Sequence, residues 1–84
     1  MQLFFVICSD SDLDGIIKEH YPMHHYKFEG AWVVADNNKT TADICASLGI
    51  DGIGHRRGVV VQATMYHGWY GTELWEKMNM WMEE

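Results

Sequence analysis

One proline, two cysteines and only six basic residues are set against twelve acidic ones in this 84-residue chain. Each scarcity excludes something. With a formal net charge of −6, non-specific nucleic-acid binding is disfavoured, because that mode depends on phosphate neutralisation by Lys and Arg. No apolar run approaches the roughly 18 to 20 residues needed to span a bilayer, and the opening MQLFFVICSD lacks the basic flank and cleavage site of a signal peptide. A cytoplasmic location is expected. Cys8 and Cys45 form no CxxC pair, and no structural disulfide between them is expected in a reducing compartment. Cys8 lies inside an apolar run, where a small buried hydrophobe is the ordinary reading.

What is present is apolar and bulky. Hydrophobic residues make up 48% of the chain, with four Trp and six Met, a composition that folds and is not disordered. The length is near the lower end at which one core is self-sufficient, so a homodimer is expected.

LFFVIC (Leu3 to Cys8) reads as a strand buried on both faces. Leu13, Ile16, Ile17 and His20 then share one face of a short helix that Tyr21-Pro22 ends. Two β-type runs, His24 to Phe28 and Ala31 to Asp36, flank Glu29-Gly30 as a hairpin, although Glu is a poorer turn residue than Asn or Asp and one long strand is the alternative. Thr40 or Thr41 caps a second helix that buries Ile44, Cys45 and Leu48 and stops at Gly49. IDGIGHRRG is a glycine-punctuated loop, VVVQATM (Val59 to Met65) a last strand, and Thr72 the cap of a final helix to about Glu83. Leu74, Trp75, Met78, Trp81 and Met82 form a bulky stripe along that helix. The order predicts an α+β protein: a single ferredoxin-like βαββαβ domain over residues 1–84. It has an antiparallel sheet, two helices on one face and an added C-terminal amphipathic helix. In this layout the loop after the first strand, the hairpin and the GHRRG loop share one end of the sheet, which brings Asp10, Asp12 and Asp14 within reach of Arg56 and Arg57.

Several motifs invite chemistry. Asp10-x-Asp12-x-Asp14-Gly15 matches the first half of a calcium loop, in which alternating carboxylates converge on a hard cation and Gly permits the turn. The bidentate Glu that completes such a loop is replaced by Tyr21, and the competing reading is that the aspartates cap the helix and favour its dipole. His20, His24, His25, His55 and His67 lack zinc-ligand spacing. Arg56 and Arg57 between glycines can cradle an anion, or else pair with the aspartates. No nucleophile elbow or Cys/His order is found. Trp69, Tyr70, Trp75, Met78, Trp81 and Met82 exceed what one terminal helix needs to cover a small sheet, and side chains of this kind are enriched at interfaces. The alternative is that they complete an undersized core; Leu74 and Met78 facing the core, with Trp75 and Trp81 facing a partner, satisfies both demands.

In pattern, LFFVICSD, HYKFEGAWVVAD and VVVQATMYHGWYGTELWEKM resemble the small CRISPR-associated integrase subunit and its Cas-like relatives, including the virulence-associated protein D ribonuclease toxins. The resemblance implies a ferredoxin-like protomer, a homodimer, and Asp10 placed where two copies face each other across the dimer and hold magnesium or manganese. The chain departs from that pattern in its short first helix, its acidic charge and its lack of a basic DNA-facing surface, which weighs against the nuclease and DNA-clamping roles. The leading expectation is a small acidic, non-enzymatic interaction module without a cofactor. It would act on a nucleic-acid-handling or defence complex, for example as a phage-type inhibitor that suits a basic surface. The competing expectations are a metal-dependent Cas-like endonuclease using Asp10, and weak calcium binding by Asp10, Asp12 and Asp14.

Overall fold

A computed structural model describes residues 1–50, 56–65 and 72–84. Strands β1 (Gln2–Cys8), β2 (His25–Phe28), β3 (Ala31–Asp36) and β4 (Gly58–Ala63) form one antiparallel sheet in the order β2-β3-β1-β4. Helices α1 (Leu13–His20) and α2 (Thr41–Leu48) lie between strands, and α3 (Thr72–Glu83) follows the last. This is the expected α+β arrangement, compatible with a ferredoxin-like fold.

Alternation along β1 divides the core in two. Phe4, Val6 and Cys8 join Trp32 and Val34 beneath Leu13 and Ile17 of α1 and Ile44 and Leu48 of α2. Leu3, from the opposite face of β1, joins Val33, Ala35 and Ala63 beneath Leu74, Met78 and Trp81 of α3. The sheet is therefore sandwiched, with α1 and α2 on one face and α3 on the other.

Local signals place the ends of the elements. Thr40 and Asp43 form a reciprocal capping box: the Asp43 N–H donates to Thr40 Oγ1 at 3.1 Å, and the Thr40 N–H donates to Asp43 Oδ2 at 2.9 Å. Gly49 ends α2 in the left-handed region at φ 71°. In the hairpin Gly30 has φ 68° while Glu29 stays out of the left-handed region. The turn thus needs glycine only at its second central position, which removes the objection to Glu29.

Four expectations need correction. His20 is exposed and does not join Leu13 and Ile17 in the core, because α1 ends there and the chain turns away at Tyr21. Ile7 is 51% exposed, so β1 is not buried on both faces along its whole length. Val59 to Met65 shortens to a strand at Gly58–Ala63 on the sheet edge, with Val59 and Val61 exposed. Trp81, expected to face a partner, is only 2% exposed, because α3 packs on the sheet with Trp81 in one buried cluster with Leu3, Val33, Ala35 and Ala63. Met78 is buried with it, as its core-facing role requires and its place among interface residues does not.

Candidate functional site

The end of the sheet where β1 stops gathers most of the residues singled out above. Cys8 of β1 is opposite Gly58 of β4, and Ile7 is opposite Ala31 beside the hairpin, so the aspartate segment, the hairpin and Arg56 meet there. Asp10 Oδ1 accepts the Asp12 N–H at 2.9 Å, a local turn made by a carboxylate two residues upstream. Its other oxygen lies 3.6 Å from Arg56 Nε. Asp14 holds Lys27 Nζ through both oxygens, at 2.8 and 3.1 Å, which ties α1 to the hairpin. Asp12 occupies the N-cap of α1 with helical backbone angles and no side-chain cap bond. Of the three aspartates, Asp10 alone satisfies a free N–H at this helix start.

The three carboxylates do not converge. Asp10 and Asp14 are engaged by different cations, and among the described residues no three His, Cys, Asp or Glu side chains come together as a metal-binding group. The calcium-loop expectation for Asp10, Asp12 and Asp14 is therefore not what the fold assembles. A cleft of about 280 Å³ does open here, walled by Ser9, Asp10, Ser11, Asp14 and Lys27. Its charges are already paired within the chain.

The two arginines separate. Arg56 Nη1 donates to Leu48 O at 3.1 Å, capping the carbonyl end of α2 while Nε faces Asp10. Its Nε is buried without a hydrogen-bond partner, Asp10 being just beyond hydrogen-bonding range. Arg56 is thus engaged within the chain, at Leu48 O and beside Asp10, which matches the expected alternative of a pairing with the aspartates. Arg57 is exposed and makes no ion pair among the described residues. Such partly exposed pairs contribute little stability each, and serve mainly to set the loops in register.

On the sheet face that carries Leu3, near this same end, Val59 and Val61 of β4 are 56% and 46% exposed beside Ile7. The register sets Ile7 against Val59 and Phe5 against Val61, so all four side chains point to the α3 face. Helix α3 covers the Leu3 end of that face and leaves this corner open. The edge strand itself, Gly58–Ala63, carries no charged residue and no proline.

Comparison with protein families, with curated proteins and with solved structures found no match.

Of the expected interface residues, Trp69 and Tyr70 lie outside the described residues, as do His55 and His67. Trp75 is half-buried and Met82 is 43% exposed, so both keep part of their surface exposed while Met78 and Trp81 do not. Cys8 and Cys45 are free thiols, the first buried and the second packed against the core. His24 Nε2 lies 3.2 Å from Glu84 Oε2, with its ring edge-on to Trp81, and His25 Nδ1 meets Tyr21 O. Sequence reasoning missed two features. One is the exposed apolar corner. The other is the Tyr21 hydroxyl, which donates to Asp36 Oδ2 at 2.8 Å across the C-terminal end of α1. Burial, then the adjacent carboxylate, raises the Tyr21 phenol above its ordinary range.

Proposed function

We propose that this protein is a small, non-enzymatic interaction module that pairs with a second copy along β4 and presents an acidic surface to a partner with a basic one. The observation that carries the reading is the uncharged β4 edge with Ile7, Val59 and Val61 exposed beside it. Natural edge strands are blunted by charge, proline or a covering element, and an apolar edge lacking these is a template for another strand. Antiparallel pairing of two β4 strands about a dyad continues the sheet and sets the valines of both copies side by side.

Magnitudes decide how tight that dimer is. Covering three half-exposed branched side chains on each copy contributes roughly 1 kcal/mol per side chain, and each added backbone hydrogen bond contributes about 1 kcal/mol net. Association costs roughly 4 to 15 kcal/mol. The balance gives a weak, concentration-dependent dimer. The net charge of −6 suits a partner whose surface is basic, and a nucleic-acid-handling or defence complex is the class that offers one. The resemblance to the Cas-like group points the same way on dimerisation.

Sedimentation velocity up to roughly 1 mM protein should show a monomer–dimer shift that Val59→Lys with Val61→Lys abolishes. A wild-type chain that stays monomeric throughout removes the dimer. The enzymatic competitor is tested by incubating the protein with RNA and DNA, with magnesium and with chelator, beside Asp10→Ala. Metal-dependent cleavage that the substitution abolishes would sink the binding-module reading.

A further inference from the structure

The opposite edge of the sheet differs in character. Among the described residues β2 pairs only with β3, in the register His25↔Val34 to Phe28↔Ala31. One residue before that ladder, the Ala35 N–H donates to His24 O at 3.1 Å. Hydrogen-bonded and non-bonded pairs alternate in an antiparallel ladder, so the Tyr26–Val33 and Phe28–Ala31 pairs carry the bonds. His25 and Lys27 therefore turn their backbone N–H and C=O groups outward, to the open side of β2.

That open side is flanked by cations. A cleft of about 310 Å³ runs along it, lined by Lys18 of α1, His25, Tyr26 and Lys27 of β2, and Glu73 and Lys77 of α3. Three of the four lysines of a chain with net charge −6 thus meet at one strand edge. Lys27 is held by Asp14, whereas Lys18 and Lys77 make no ion pair among the described residues. Lys18 approaches from the α1 side of the sheet and Lys77 from the α3 side.

We propose that the β2 edge is a docking site for an extended acidic segment of a partner protein, added to the sheet as a fifth strand. Its backbone pairs with the outward N–H and C=O groups of His25 and Lys27. Its side chains alternate between the two faces, so adjacent acidic residues reach Lys18 on one side and Lys77 on the other. Glu73 repels an acid placed beyond Lys77, which limits the acidic stretch on that face. This site is separate from the β4 surface, and either can fail without the other.

The test is an NMR titration of isotope-labelled full-length protein. The probe is a blocked heptapeptide of glutamate and valine, beside its counterpart with every glutamate replaced by lysine and a version N-methylated at alternate residues. Expected are amide shifts centred on residues 24–28, no binding of the lysine peptide, and about tenfold weaker binding of the N-methylated one, which cannot pair as a strand. Lys18→Gln with Lys77→Gln should weaken the glutamate peptide about fivefold or more while the spectrum stays dispersed. Val59→Lys should leave it unchanged. Equal binding of the N-methylated peptide, shifts confined to β4, indifference to the double substitution, or preference for a single-stranded oligonucleotide at the same residues would each overturn the proposal.

Discussion

Tyr21 shows how much one side chain can join. Its backbone closes α1 by donating to Ile17 O, its ring is buried in the core beneath that helix, and its hydroxyl reaches Asp36 at the end of β3. Removing the hydroxyl in Tyr21→Phe leaves one Asp36 oxygen without this donor, and should cost about 1 to 2 kcal/mol in urea denaturation near pH 7. The pH dependence follows from the raised phenol pKa. The folded state holds this proton more tightly than the unfolded chain, whose phenol titrates near 10.0. The contribution is therefore complete below that value and is lost as pH rises above it. The difference between wild type and Tyr21→Phe should narrow at about pH 11, and a constant gap would show that the hydroxyl's ionisation is not coupled to folding.

At the scale of the element, α2 is specified at both ends. Its N-terminus has the Thr40–Asp43 box, in which the Thr40 N–H and hydroxyl hold the Asp43 carboxyl below its usual range. That contribution is present above the ordinary carboxylate pKa and fades as pH falls through the lowered one. Thr40→Ala should cost about 1 kcal/mol by thermal or urea melting. At the C-terminus Gly49 has a left-handed backbone and lies directly under Arg56, whose Nη1 a Cβ would meet. Gly30 is equally left-handed but faces open space. Both alanine substitutions incur a backbone cost of about 1 to 2 kcal/mol. Gly49→Ala additionally pushes Arg56 off Leu48 O, so it should be the more destabilising by about 1 kcal/mol, and equal losses would mean that the guanidinium moves aside freely.

At the scale of the molecule, one sheet separates two cores, and the face under α3 is the less complete. Trp81 is buried in the cluster beneath α3 with Leu3, Val33 and Ala35, and accepts a hydrogen bond at its carbonyl from the Met1 nitrogen at 3.1 Å. Trp81→Ala should therefore cost about 3 to 5 kcal/mol, enough to unfold a domain of this size at modest temperature. Met82→Ala, one residue along and 43% exposed, should change stability by no more than about 0.5 kcal/mol. Near-equal effects in chemical denaturation would contradict the placement of Trp81. The same face ends in the exposed corner at Ile7, Val59 and Val61, on which the proposed dimer rests.

Much of this architecture was legible before any coordinates. The order of elements, the hairpin at Glu29-Gly30, the Thr40 cap and the Gly49 stop depend on residues a few positions apart, and local backbone energetics decide them. The meeting of Asp10 with Arg56 followed from topology alone. Four things did not follow. A helical stripe of Leu74, Met78 and Trp81 says that one face is buried, not which sheet face it meets. An apolar run such as VVVQ says strand, not centre or edge, because a valine on an uncovered edge and one in a core have the same local pattern. The convergence of Lys18, Lys27 and Lys77 joins three elements far apart in the chain, and Tyr21 finds Asp36 fifteen residues on only because α1 folds back across the sheet. Periodicity and capping thus determined the elements. Long-range packing decided which surfaces they cover and which they leave open.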